Sequence, residues 1–234
     1  MKSIGIIGGL GPEATVDYYK EIISQINTLN GNGSLNYPEI IVYSVNMATF
    51  IGRLEKKDYT GAAGYIVECI SKLELAGADF AVISANTPHL FFDEIREKVT
   101  IPLISIVEAC KTRAKQTGLK RCGLFGTKFT MNASFFSDVF GRDNIEVISP
   151  DSDDINRINE LLFTELEIGI FKESTQTELL GIVQKMIDKH GIDSLIQGCT
   201  EFPIMFTEEK YLGIPFLNTT RIHVDEMVKK SMSS

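Results

Sequence analysis

One cysteine stands out among four. Cys199 lies in Gln197-Gly198-Cys199-Thr200-Glu201, directly after a short apolar run, where a thiol could give or take a proton or attack a carbonyl. A buried strand-end thiol with no chemistry is the competing reading of the same residue. Cys69 and Cys110 sit in apolar helical patterns and Cys122 starts a strand, so all three read as structural. The four share no CxxC and no metal-ligand rhythm, and no metal site is expected. Asn86 and Thr87 end another apolar run and could cap a helix or hydrogen-bond a carboxylate or enolate oxygen. His89 follows Pro88 and could orient that loop or act as an acid or base. Arg53 and Lys172 are candidate carboxylate anchors, although most such cations are simply solvated. Gly8-Gly9-Leu10-Gly11-Pro12 follows the first apolar run and opens a helix. Gly9, Leu10 and Gly11 could let backbone N–H groups approach an anion, or could only form a turn. The loop is neither GxGxxG nor a Walker A sequence, and no cofactor is expected from it.

The elements that must carry these residues are legible from apolar patterning. Nearly continuous apolar runs occur at 4–7, 40–45, 80–84, 103–107, 122–125, 145–148, 194–197 and 215–217. Continuous rather than alternating runs suit parallel strands covered on both faces. Helical periodicity fills 14–30, 59–76, 154–169 and 178–189. Such alternation means α/β with a parallel sheet, and ligands then sit beyond the carboxyl ends of strands.

An internal repeat divides the chain. Gly77-Ala78-Asp79 leads through a strand to Ala85-Asn86-Thr87, and Gly191-Ile192-Asp193 leads likewise to Cys199-Thr200-Glu201. From Gly to Ala85 or Cys199 is eight positions in both copies, and the next Ile-Pro comes sixteen or fifteen later. Gly5-Ile6-Ile7-Gly8 resembles Gly123-Leu124-Phe125-Gly126. Two similar parallel-sheet α/β domains related by pseudo-two-fold symmetry are expected, with a cleft between them. The expected extents are 1–108 plus 214–234 for the first and 109–213 for the second, which the 234-residue length accommodates.

Composition closes other routes. The chain carries 23 basic and 31 acidic residues, a formal charge of -8, so nothing supplies the phosphate-neutralising charge of a general nucleic-acid binder. No window offers the roughly 20 apolar residues of a membrane span. A cytoplasmic protein with free thiols is expected, and a two-fold homodimer is the base-rate assembly.

Four segments together resemble the aspartate/glutamate racemase superfamily, across essentially the whole length. They are Ile6 to Thr15, Ala85-Asn86-Thr87-Pro88-His89, Gly123-Leu124-Phe125-Gly126-Thr127 and Gly198-Cys199-Thr200-Glu201. The resemblance implies amino-acid racemisation without pyridoxal phosphate or metal, by two cysteines on opposite faces of the substrate α-carbon. It puts Cys199 in the second cysteine position. It also implies that Arg53 and Lys172 contact substrate carboxylates, and that Asn86, Thr87 and Thr200 bind carboxylate or oxyanion. Ala85 stands where the family's first cysteine belongs, so a symmetric two-thiol site is not encoded. The leading expectation is a racemase of aspartate, glutamate or a similar amino acid. Two alternatives stay open: single-cysteine enediolate chemistry resembling arylmalonate decarboxylase, and a weakly catalytic amino-acid-binding homologue.

Overall fold

A computed structural model describes residues 1–31 and 33–233. The chain divides into two compact units, Met1–Ala109 with Thr220–Ser234, and Cys110–Thr219. The first runs β1 (Ile4–Gly8), α1 (Pro12–Leu29), β2 (Ile40–Ser44), α2 (Met47–Glu55), α3 (Tyr59–Leu75) and β3 (Phe80–Ile83). It continues through a 3-10 turn (Thr87–Phe91), α4 (Phe92–Glu97), β4 (Leu103–Ile104) and into α5 (Ile106–Gln116). Its sheet is parallel, in the order β2-β1-β3-β4.

Alternation along these strands explains the continuous apolar runs. Ile4, Ile6, Phe80 and Val82 pack on Tyr18, Ile22 and Ile26 of α1. Ile7, Ala81 and Ile83 point the other way, onto Ala62, Ile66 and Ile70 of α3. Both faces are covered, so every position must be apolar. Gly5 fits here because a Cβ would meet Leu73 and Ala78 side-chain atoms at 3.0–3.1 Å.

The second unit runs β5 (Arg121–Phe125), α6 (Lys128–Asn132), α7 (Phe135–Gly141), β6 (Glu146–Ile148), α8 (Ser152–Thr164) and a 3-10 turn (Leu166–Ile168). Then come α9 (Glu173–His190), β7 (Ser194–Gln197), α10 (Phe202–Met205), β8 (Lys210–Tyr211) and β9 (Ile214–Asn218). The sheet order is β6-β5-β7-β9-β8, with β8 antiparallel on the edge. Phe125, Leu195 and Phe216 pack against Ile158, Leu162, Leu179 and Val183 from α8 and α9. Finally α11 (Thr219–Met232) brings Val224, Met227 and Val228 onto the α1 face of the first sheet.

Two expectations are corrected. The segment from Ile214 does not return to the first unit: β9 pairs with β7, aligning Leu195 with Phe216 and Gln197 with Asn218. Only from Thr220 does the chain rejoin the first unit. The apolar run at 103–107 is not one strand. It breaks at Ser105, whose Oγ accepts the N–H of Glu108, and Ile106 and Val107 already belong to α5. No helix among the described residues is long and apolar enough to cross a membrane.

Candidate active site

At the carboxyl end of β7 the backbone is drawn tight. The N–H of Gly198 donates to the carbonyl of Phe125 at 2.7 Å, and a Cβ at Gly198 would lie 2.7 Å from that same oxygen. No other residue type fits there, and the turn delivers Cys199 just past the strand. Cys199 is half-buried, whereas Cys69, Cys110 and Cys122 are buried.

The thiol has acidic company. Cys199 Sγ donates to Glu201 Oε2 at 2.8 Å, and Glu167 Oε1 lies 4.0 Å away. Thr200 Oγ1 donates to the other oxygen of Glu201 at 3.0 Å, so one carboxylate gathers both side chains. Burial, then the charge of Glu201 and the hydrogen bond to it, then Glu167, hold the Cys199 thiol well above its ordinary value. At rest it is a protonated acid, not a thiolate. Glu167 is carried on the 3-10 turn after α8. Burial of its carboxyl end beside Glu201 pushes it up to about 7, although the residue as a whole is exposed. The ligand atoms of Glu167, Cys199 and Glu201 lie within 4.8 Å of one another, a spacing that also suits a shared cation.

The carboxyl end of β3 is built from neutral groups. Ser84 is fully buried and its Oγ donates to the carbonyl of Ile7 at 3.1 Å, which ties it into the sheet. Ala85 and Asn86 are each 6% exposed, and Asn86 Oδ1 is buried with no hydrogen-bond partner. His89 Nδ1 lies 2.9 Å from the carbonyl of Ala85, while its Nε2 accepts the N–H of Ile106 at 3.2 Å. These partners place the single ring proton on Nδ1. Burial, and secondarily His223, lower His89 to about 3, so it orients the loop as a neutral imidazole with its one proton on Nδ1. His223 has the opposite tautomer: its Nε2 donates to the carbonyl of Ile104 at 3.0 Å and its Nδ1 accepts from Tyr18 Oη at 2.8 Å.

Comparison with known proteins places the chain in a family. Residues 7–227 match the family described as Asp/Glu/hydantoin racemase. The chain belongs to that family. It is 27% identical over 199 residues to the broad specificity amino-acid racemase RacX of Bacillus subtilis, covering 85% of each protein. A glutamate racemase of Shewanella woodyi is 30% identical over 167 residues, covering 69% of this chain and 59% of that one. Among solved structures, an aspartate racemase homologue from Pyrococcus horikoshii superposes with a TM-score of 0.85 at 31% identity over the whole of both chains.

The remaining expected site residues of this racemase-family chain are placed as follows. Gly9 has φ +84°, and a Cβ there would lie 2.6 Å from the carbonyl of Val45. Its N–H donates to Thr15 Oγ1 at 2.9 Å, so that amide is already engaged. Leu10 and Gly11 are half-buried, and Gly11 opens α1. Thr87 begins the 3-10 turn and is half-buried. Arg53, in the last turn of α2, donates from Nη1 to Asp58 at 2.9 Å, while its buried Nε has no partner. Lys172 donates to Glu165 at 2.8 Å. Both expected anchors therefore carry internal carboxylate partners. Two site residues were missed. Glu201 was visible beside Cys199 in the Gly-Cys-Thr-Glu segment, but Glu167 lies 32 positions away and no local pattern marks it.

Proposed function

We propose that this protein exchanges the α-proton of an amino acid, the racemase-type reaction, through Cys199 and without pyridoxal phosphate or metal. One observation carries the reading: Cys199 is the half-buried cysteine, at a strand end, with a carboxylate in hydrogen-bond reach. Glu201 takes the thiol proton and leaves a thiolate. The thiolate removes the α-proton, and the electron pair of that C–H bond passes into the enediolate of the substrate carboxylate. Return of the proton from Cys199 restores the original configuration, and delivery to the opposite face inverts it. Asn86 and Thr87 serve as donors to the developing oxyanion and Arg53 holds a carboxylate, while Thr200 donates to Glu201 and steadies the base.

Ala85 occupies the position of the family's other thiol, so exchange on the Cys199 face is the easier half-reaction. Incorporation of deuterium from D2O into an amino-acid panel, followed by NMR, should outrun loss of optical activity. C199A should abolish it. A parent protein that incorporates no deuterium into any amino acid refutes the reading. Decarboxylation of a disubstituted malonate also needs one cysteine, but it would bring a dianion beside Glu167 and Glu201, and amino-acid exchange is favoured for that reason.

A further inference from the structure

We propose that Glu167 makes this site select amino acids whose long aliphatic side chain ends in a cation, over dicarboxylic amino acids; the inference rests on the α-proton reading above. Three observations carry it. First, Glu167 and Glu201 both lie at the thiol, with Glu167 Oε1 at 4.0 Å and Glu201 Oε2 at 2.8 Å from Cys199 Sγ. Among the described residues, neither carboxylate has a lysine, arginine or histidine in ion-pair contact. Second, the cation on the same segment is already spent. Lys172 pairs with Glu165, which also accepts from Thr175. Lys172, Glu165 and Glu201 in their charged forms sum to -1, and ionisation of Glu167 carries the group to -2, so the segment is negative in either state of Glu167. A second carboxylate on the substrate would enter an uncompensated negative field, whereas an ammonium or guanidinium would relieve it.

Third, the segment that carries Glu167 is apolar and exposed around it. Ile168 is 64% exposed, and Ile170 and Phe171 are 40% exposed. Gly169, with φ +77°, turns the chain between them. Methylene stems pack along such a surface while their charged ends reach a carboxylate, as lysine and arginine side chains do on protein surfaces. Glu201 is committed to Cys199 and Thr200, so Glu167 is the carboxylate left to meet the substrate's end group.

The test compares lysine, norleucine and glutamate by deuterium exchange. Norleucine keeps the stem of lysine without its charge. The parent protein should exchange lysine with kcat/KM at least about tenfold above norleucine, and glutamate below both. E167Q should bring the lysine-to-norleucine ratio toward one, and E167K should reverse the order of lysine and glutamate. A parent that exchanges glutamate fastest overturns the inference, as does a ratio that E167Q leaves unchanged. If glutamate is the best substrate and C199A abolishes its exchange, the α-proton reading stands and only the charge selection falls. If no amino acid exchanges, the α-proton reading falls. Charge selection is then read from C199S by thermal shift: lysine should raise the melting temperature more than norleucine, and equal shifts overturn it.

Discussion

The ends of β3 and β7 descend from one repeated pattern and have become chemically opposite. At β7 a thiol sits among carboxylates, one donating contact at 2.8 Å and a second oxygen at 4.0 Å. At β3 the equivalent position is Ala85, flanked by a serine bonded into the sheet and a histidine held neutral between two backbone groups. The topology does not distinguish them, since both sheets run in the same order through their first four parallel strands. What differs is where protons reside. One end has a protonated thiol donating to a carboxylate oxygen, and at the other the histidine is held as a neutral imidazole. The same scaffold therefore presents a thiol at one strand end and a methyl group at the matching end of the other sheet.

The contrast breaks most completely if the thiol is removed. C199A should lower deuterium exchange by about a thousandfold or more, because no second group replaces the proton carrier. Circular dichroism should show the fold intact, since Cys199 is only half-buried. Restoring the other end is the complementary test. A85C places a thiol where the sequence repeat puts its partner, and the ratio of racemisation to exchange should rise by about tenfold to a hundredfold. An unchanged ratio would mean that Ala85 is not the vacated carrier.

This contrast was half legible in the sequence. Cys199 and Ala85 align at eight positions from their glycines, so the asymmetry could be read directly. The place of the last parallel strand was also implicit in the repeat, through its Ile-Pro landmarks. Ile101-Pro102 leads into β4 beside β3, and Ile214-Pro215 leads into β9 beside β7. Treating the second Ile-Pro as the return to the first unit ignored that equivalence. Glu167 was not legible, because its approach to Cys199 depends on how α8 ends and turns, which is set by tertiary packing of Leu166 in the core. Nor could the roles of His89 be separated from its neighbours in sequence. Its Nε2 partner, Ile106, comes from another element 17 residues on.

The neutral end should reveal itself in acid. His89 is lowered to about 3 and His223 to about 4, against about 6.5 in an unfolded chain. Below pH 6.5 the unfolded state therefore binds protons that the folded state refuses. Stability should fall as pH drops from about 6.5 toward 4 and 3, by up to about 3 to 5 kcal/mol for each imidazole. Urea melts across that range check the slope. H89Q keeps a donor for the carbonyl of Ala85 and an acceptor for the N–H of Ile106, so it should flatten the pH dependence while retaining exchange activity.

The smallest effects belong to the two cations. Arg53 holds Asp58 through Nη1 alone and its buried Nε has no partner, so its guanidinium is only partly engaged, and a shift of the side chain on substrate binding would satisfy it. Lys172 has its ammonium on Glu165 and is 53% exposed. R53M should raise KM severalfold, whereas K172M should change KM by less than about twofold and leave the melting temperature near that of the parent, as removal of an exposed ion pair usually does. A larger KM effect from K172M than from R53M would show that the exposed ammonium leaves Glu165 when substrate binds. The carboxylate released by that exchange would then add a third negative group to the segment bearing Glu167, and the preference for cationic side chains should grow rather than shrink.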